Sequence, residues 1–104
     1  MLADTYRDFV LDQLSPLESR LECRRMFGGY GLYLGSAFFG ILHRGRLFFK
    51  TDDGNRPKYE TCGMKSFRPN PSQTLRNYFE VPVDVVENRE RLVRWARRAA
   101  RAKS

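Results

Sequence analysis

Near the start of the chain Tyr6, Phe9, Val10 and Leu14 recur at three- and four-residue spacing, which places them along one face of an amphipathic helix. Asp4 or Thr5 is the residue type that caps such a helix. The Ser15-Pro16 pair ends it, because the residue before a proline is pushed out of the helical region, and Leu17 and Leu21 then extend into a short further turn. From Arg24 to Thr51 the period shortens. MFGGYGLYLG, AFFGILHRG and RLFFKT are aromatic-rich runs separated by the hairpin-type connectors Gly35-Ser36 and Arg44-Gly45, which predicts a three-stranded antiparallel meander. Alternation puts Tyr30, Leu32 and Leu34 on one face of its first strand, with Gly31, Tyr33 and Gly35 on the other.

The second half repeats the mixture. Asp52, Asp53 and Asn55 precede RPKYETC, and Pro57 stands where a first-turn proline loses no hydrogen bond, so a short helix starts there and Gly63 closes it. SFRP at residues 66–69 predicts a fourth strand, NPSQ a turn, and LRNYFEVP a fifth strand that Pro82 stops. After a lead-in turn with Asp84, the last helix runs from about Asn88 to Ala102. Leu92, Trp95, Ala96, Ala99 and Ala100 form its apolar stripe, and Arg91, Arg94, Arg98 and Arg101 form the opposite one. The predicted class is therefore α+β: a two-layer domain with helices packed on an antiparallel sheet, in the order α-β-β-β-α-β-β-α.

Composition narrows the picture. With 104 residues the chain fits one domain spanning residues 1–104, and 41% hydrophobic residues suffice for a packed core. The net charge of +7 suggests nucleic acid until it is localised. Residues 89–104 hold seven basic groups against Glu90, while residues 1–88 hold 12 basic and 11 acidic groups, so by sequence the basicity belongs to the tail. No signal peptide opens the chain and no apolar run reaches membrane-spanning length, which points to a cytoplasmic protein with no membrane partner. Cys23 and Cys62 stand far apart and His43 is the single histidine, so no metal site is expected. Two reduced thiols are the plain reading of the cysteines, and a single disulfide is the alternative.

Candidate chemistry is sparse. Met26, Phe27, Gly28, Gly29, Tyr30 and Gly31 form the most distinctive motif, yet no Gly-Lys-Ser/Thr or helix follows it, and the dinucleotide fingerprint fails at Leu34. Its glycines suit a bulge, a sharp twist or close backbone approach, a structural role with no cofactor. The pairs Phe38-Phe39 and Phe48-Phe49, with Tyr30 and Tyr33, invite comparison with a base-stacking platform. Adjacent strand residues face opposite ways, so at least one of each pair belongs to a core. His43 with Asp52 and Asp53 supplies the types a general base would need, but Asp52-Asp53-Gly54 is also what a turn and helix cap look like. No catalytic set is recognised. The Arg91, Arg94, Arg98 and Arg101 stripe is the candidate interaction surface. On duplex phosphates four arginines would give a log K against log salt slope of about −3.6; otherwise the stripe is a solvated face.

RRMFGGYGLYL, FFGILHRGRLFFKTDDGNRP, YETCGMKSF, YFEVPVDVV and WARRAARA, in this order and spacing, resemble the N-terminal domain of the TfoX/Sxy family of competence regulators over residues 5–102. That resemblance implies a fold similar to the secretion-chaperone-like group. It also implies a non-enzymatic regulator of natural transformation that acts with a transcription factor of the cyclic-AMP receptor protein type or with RNA polymerase. The chain stops where the family's N-terminal domain stops, and the C-terminal helical domain is absent from it.

Three functions remain open at this point. The first is a regulatory adaptor acting through protein contacts. The second is a nucleic-acid-binding module using the basic last helix, and the third a small enzyme or ligand-binding domain at the glycine-rich strand.

Overall fold

The structure, a computed structural model, describes residues 2–26 and 28–103. Helix α1 (Leu2–Gln13) begins ahead of Asp4 and Thr5, so neither residue is its cap. Ser15 and Pro16 end it as expected and open a 3-10 segment, Ser15–Arg20, that buries Leu17. The strands are β1 (Leu21–Met26), β2 (Gly29–Leu34), β3 (Ala37–His43) and β4 (Arg46–Lys50) before helix α2 (Arg56–Thr61). Then come β5 (Ser66–Asn70), β6 (Gln73–Glu80), the single turn α3 (Val83–Val86) and α4 (Arg89–Ala100). The sheet runs β1-β2-β3-β4-β6-β5, with every neighbouring pair antiparallel.

The α+β class holds, with helices packed on an antiparallel sheet, and the sheet has one strand more than the pattern predicts. Strand β1 occupies Leu21–Met26, where a further turn was expected, and pairs with β2 from Leu21↔Leu34 to Met26↔Gly29. Its alternation is short and masked by charge, because Glu22, Arg24 and Arg25 are exposed while Leu21 and Cys23 are half-buried. Charged side chains on an edge strand also hinder pairing with other chains, which is why such a strand reads poorly as one. The run MFGGYGLYLG is consequently split. Met26 closes β1, Gly28 adopts a φ of 73° in the connection, and Gly29 opens β2. Phe27 lies outside the described residues.

Close approach explains the next glycine. A Cβ on Gly29 would collide with the backbone carbonyl of Leu42 in β3, so only glycine lets these strands meet there. Of the roles expected for these glycines, close approach is the one seen at Gly29, and the register shift of β2 against β3 falls beyond the motif, between Leu32 and Tyr33.

One face of the sheet is covered by helices. Val10 and Leu14 of α1, Tyr59 of α2, Val85 and Val86 of α3, and Leu92, Ala96 and Ala99 of α4 pack with Leu32, Leu34, Phe39, Leu47 and Phe49 of the strands. Alternation sends Tyr30, Leu32 and Leu34 to this side, as the pattern of β2 requires. Small residues at 96 and 99 bring α4 close to the sheet, where it lies across β2, β3 and β4. The opposite face carries a smaller cluster of Ile41, Phe48 and Phe67, flanked by Phe38, Leu75 and Tyr78.

Candidate interaction site

Helix α4 is built as its sequence suggests. Asn88 caps it, its side-chain oxygen accepting from the Arg91 amide at 3.1 Å, and Pro82 and Asp84 start the single turn before it. The four arginines of the predicted stripe meet different surroundings. Arg91 pairs with Asp84 at 3.5 Å, Arg94 with Glu90 at 3.6 Å, and Arg98 with Asp52 at 2.7 Å. Arg101 is exposed and has no ion-pair or hydrogen-bond side-chain partner among the described residues, and the same holds for Arg97. Carboxylates from three elements therefore share out most of the stripe's charge.

Asp52 explains why Arg98 is taken. Following β4, its carboxylate accepts from the Arg98 guanidinium and from the backbone amides of Gly54 at 2.9 Å, Asn55 at 3.2 Å and Lys103 at 3.0 Å. The Arg98 hydrogen bond, then that from the Lys103 amide, hold its carboxyl far below the usual carboxylate range. Asp52-Asp53-Gly54 forms the expected turn, but the cap position of α2 falls on Asn55, whose side chain makes no capping hydrogen bond, and the Asp52 carboxylate instead also ties down the C-terminal end of α4. Arg56 completes this corner by pairing with Asp53 at 3.0 Å and donating to the Thr51 hydroxyl at 3.2 Å. The polar groups here satisfy one another.

His43 lies elsewhere. It pairs with Arg46 at the hairpin end of β3 and β4, and six residues of extended chain from Arg46 to Asp52 put roughly 20 Å between the two ends. The histidine and the aspartates are not brought together. Around Tyr30, Arg7 donates to the phenol oxygen at 3.0 Å, and the Arg7 and Arg25 guanidinium groups lie 5.0 and 5.8 Å from the ring centre. Met26 packs against Gly31, so those motif residues serve the β1–β2 connection. Cys23, half-buried, and Cys62, exposed, are both free thiols.

Sequence reading missed a second basic region. The β3–β4 hairpin brings His43, Arg44 and Arg46 beside Lys65, Ser66 and Arg68 at the start of β5, around a cleft of about 530 Å³. Phe48 and Phe67 form its floor with ring centres 4.6 Å apart, and the His43 ring meets Phe67 edge-on at 5.2 Å. Arg46 pairs with Glu80 at 3.3 Å, and Arg68 donates to the Pro71 carbonyl at 2.6 Å. The exposed side chains of Arg44 and Lys65 have no ion-pair or hydrogen-bond partner among the described residues. Burial, and secondarily Arg44, lowers the pKa of His43. Four cations thus face one carboxylate, although residues 1–88 are nearly neutral in sum. The usable signal was the clustering of Arg44 and Arg46 on one turn and of Lys65 and Arg68 three positions apart, which strand order then brings together.

The family described as the TfoX N-terminal domain matches residues 12–103, and the chain belongs to that family of regulatory or adaptor domains, which is a non-enzymatic one. An uncharacterized 12.7 kDa protein in the trpE 5' region of Spirochaeta aurantia is 33% identical over 87 residues, covering 84% of this chain and 70% of that protein. Among the described residues no helix is long and apolar enough to cross a membrane.

Proposed function

We propose that this chain is a regulatory domain that works through protein contacts in transcription, engaging RNA polymerase or a transcription factor of the cyclic-AMP receptor protein type in the control of competence genes. Membership of the TfoX N-terminal domain family over residues 12–103 carries this reading. The division of the arginine stripe among Asp84, Glu90 and Asp52 supports it further, since paired guanidinium groups are poorer phosphate contacts than free ones. A cytoplasmic location follows from that role, and the domain needs no cofactor for it.

Purified RNA polymerase and a purified cyclic-AMP receptor protein, each titrated against the labelled domain, test the proposal. Saturable binding to one of them is expected. Binding to neither, together with duplex DNA binding that weakens in log K against log salt with a slope near −3.6 and is lost in the Arg91, Arg94, Arg98 and Arg101 alanine variant, would favour the nucleic-acid reading instead.

A further inference from the structure

We propose that the cleft between the β3–β4 hairpin and β5 is a docking site for an acidic peptide segment of a protein partner, with Arg44, Arg46, Lys65 and Arg68 as its carboxylate-binding rim. The inference rests on the reading of the domain as one that acts through protein contacts, and it specifies the surface and the chemistry of the segment bound.

Three features of the cleft favour this occupant. First, the cations converge on one hollow of about 530 Å³, a volume suited to a few side chains of an extended segment. A duplex needs phosphate contacts spread along a track. Second, the floor rings Phe48 and Phe67 are 6% and 1% exposed, so they offer no open face for stacking a base, which removes the contact a single-stranded nucleic acid would need and leaves the charged rim to select the occupant. Third, arginine is the side chain best matched to carboxylates, and Arg46 already contacts the Glu80 carboxylate through one nitrogen at 3.3 Å at the cleft wall. Arg44 is held at a φ of 51° by the tight turn with Gly45, which fixes where its side chain leaves the backbone. Among the described residues Glu80 is the single carboxylate lining the cleft, and with Arg46 as its partner it leaves Arg44 and Lys65 to face an incoming anion, beside Arg68, whose guanidinium also donates to the Pro71 carbonyl.

The single histidine supplies a local reporter, because its ring edges Phe67 inside the cleft next to Arg44. The probe is a labelled peptide of alternating glutamate and leucine, titrated at low salt while the His43 ring resonances are followed. Saturable binding that shifts those resonances and raises the His43 pKa is expected, since an anion beside the ring offsets the influence of Arg44. Arg44→Glu with Lys65→Glu should weaken binding at least about tenfold, whereas Arg97→Glu with Arg101→Glu should leave it within about twofold. Should the charge-reversed protein fold poorly by circular dichroism, Arg44→Gln with Lys65→Gln, which remove charge alone, should still weaken binding several-fold.

Peptide binding that leaves His43 unmoved, or that both cleft variants retain, overturns the proposal. So does a single-stranded oligonucleotide that binds more tightly than the peptide and shifts the same resonances. Polymerase or receptor-protein binding that survives the cleft variants while the peptide fails would remove this site and leave the adaptor reading standing. Peptide binding at His43 without either partner would do the reverse.

Discussion

Phe38 and Phe39, like Phe48 and Phe49, are neighbours in sequence and opposites in environment. Phe39 and Phe49 point to the helix-covered face, are fully buried, and lie with ring centres 5.5 Å apart. Phe38 and Phe48 point to the other face, where Phe38 is half-buried between Tyr33 at 5.0 Å and Tyr78 at 5.4 Å, and Phe48 packs on Phe67. The same residue type on the same strand thus helps fill a helix-roofed core on one side and lines a thin aromatic layer on the other. Stability is concentrated on the first face. The second is where charge collects beside apolar rings, and it carries the cleft.

The sharpest break of this comparison is a pair of truncations. Phe39→Ala should cost about 3–5 kcal/mol, because the helices above it cannot collapse fully into the space left. Phe38→Ala should cost roughly 1–2 kcal/mol, since part of that ring is already in water. Urea unfolding with an unchanged m-value measures both. Equal losses would mean that the two faces are equally packed.

Next in size is the loss of the Asp52 carboxylate, which joins the end of β4 to the end of α4. Its folded pKa is depressed, so its contribution is present above the unfolded value near 4 and is lost as pH falls below that toward the folded value. The wild type should therefore lose more stability between neutral pH and about pH 3 than Asp52→Asn, measured by thermal melts across that range. Parallel curves would show that the four hydrogen bonds to this carboxylate do not matter to folding. Arg98→Ala should reproduce part of the loss at neutral pH, while Arg97→Ala, one position away and exposed, should stay within about 0.5 kcal/mol.

The helix-covered face is also the part that could be read directly from the chain. Tyr6, Val10 and Leu14 at helical spacing, the alternation of Leu32 and Leu34, and the Leu92, Ala96 and Ala99 stripe all pointed inward and are packed there, whereas Phe9, read onto the same apolar face of the first helix, is exposed. Local periodicity reports which side faces a core, so it succeeds wherever a core dominates. It failed for β1, where Glu22, Arg24 and Arg25 on an edge strand hide an alternation only two apolar residues long. The arginine stripe was correct as a helix face and incomplete as a surface. Spacing cannot show that Asp52, 46 residues before Arg98, folds against it. The basic cleft was hidden for a related reason, since Arg44 and Arg46 are separated in sequence from Lys65 and Arg68 by a stretch that includes Asp52, Asp53 and Glu60, and the two pairs converge only through the β4-β6-β5 order.

The smallest predicted effect probes the helix-covered face from inside. Tyr59 of α2 is completely buried, its ring meeting Trp95 edge-on at 4.9 Å and Phe79 at 6.1 Å, and its hydroxyl has no hydrogen-bond partner among the described residues. Burial accordingly pushes the phenol pKa upward. A buried hydroxyl left unpaired carries a desolvation penalty that its ring packing must offset, so Tyr59→Phe should be neutral or should stabilise by up to about 1 kcal/mol. Trp95, the single tryptophan, reports the packing, and its emission maximum should not move. A loss of stability larger than about 1 kcal/mol would instead mean that the hydroxyl is satisfied in solution, as by a bound water. The covered face would then not be the dry layer that its contrast with the cleft face requires.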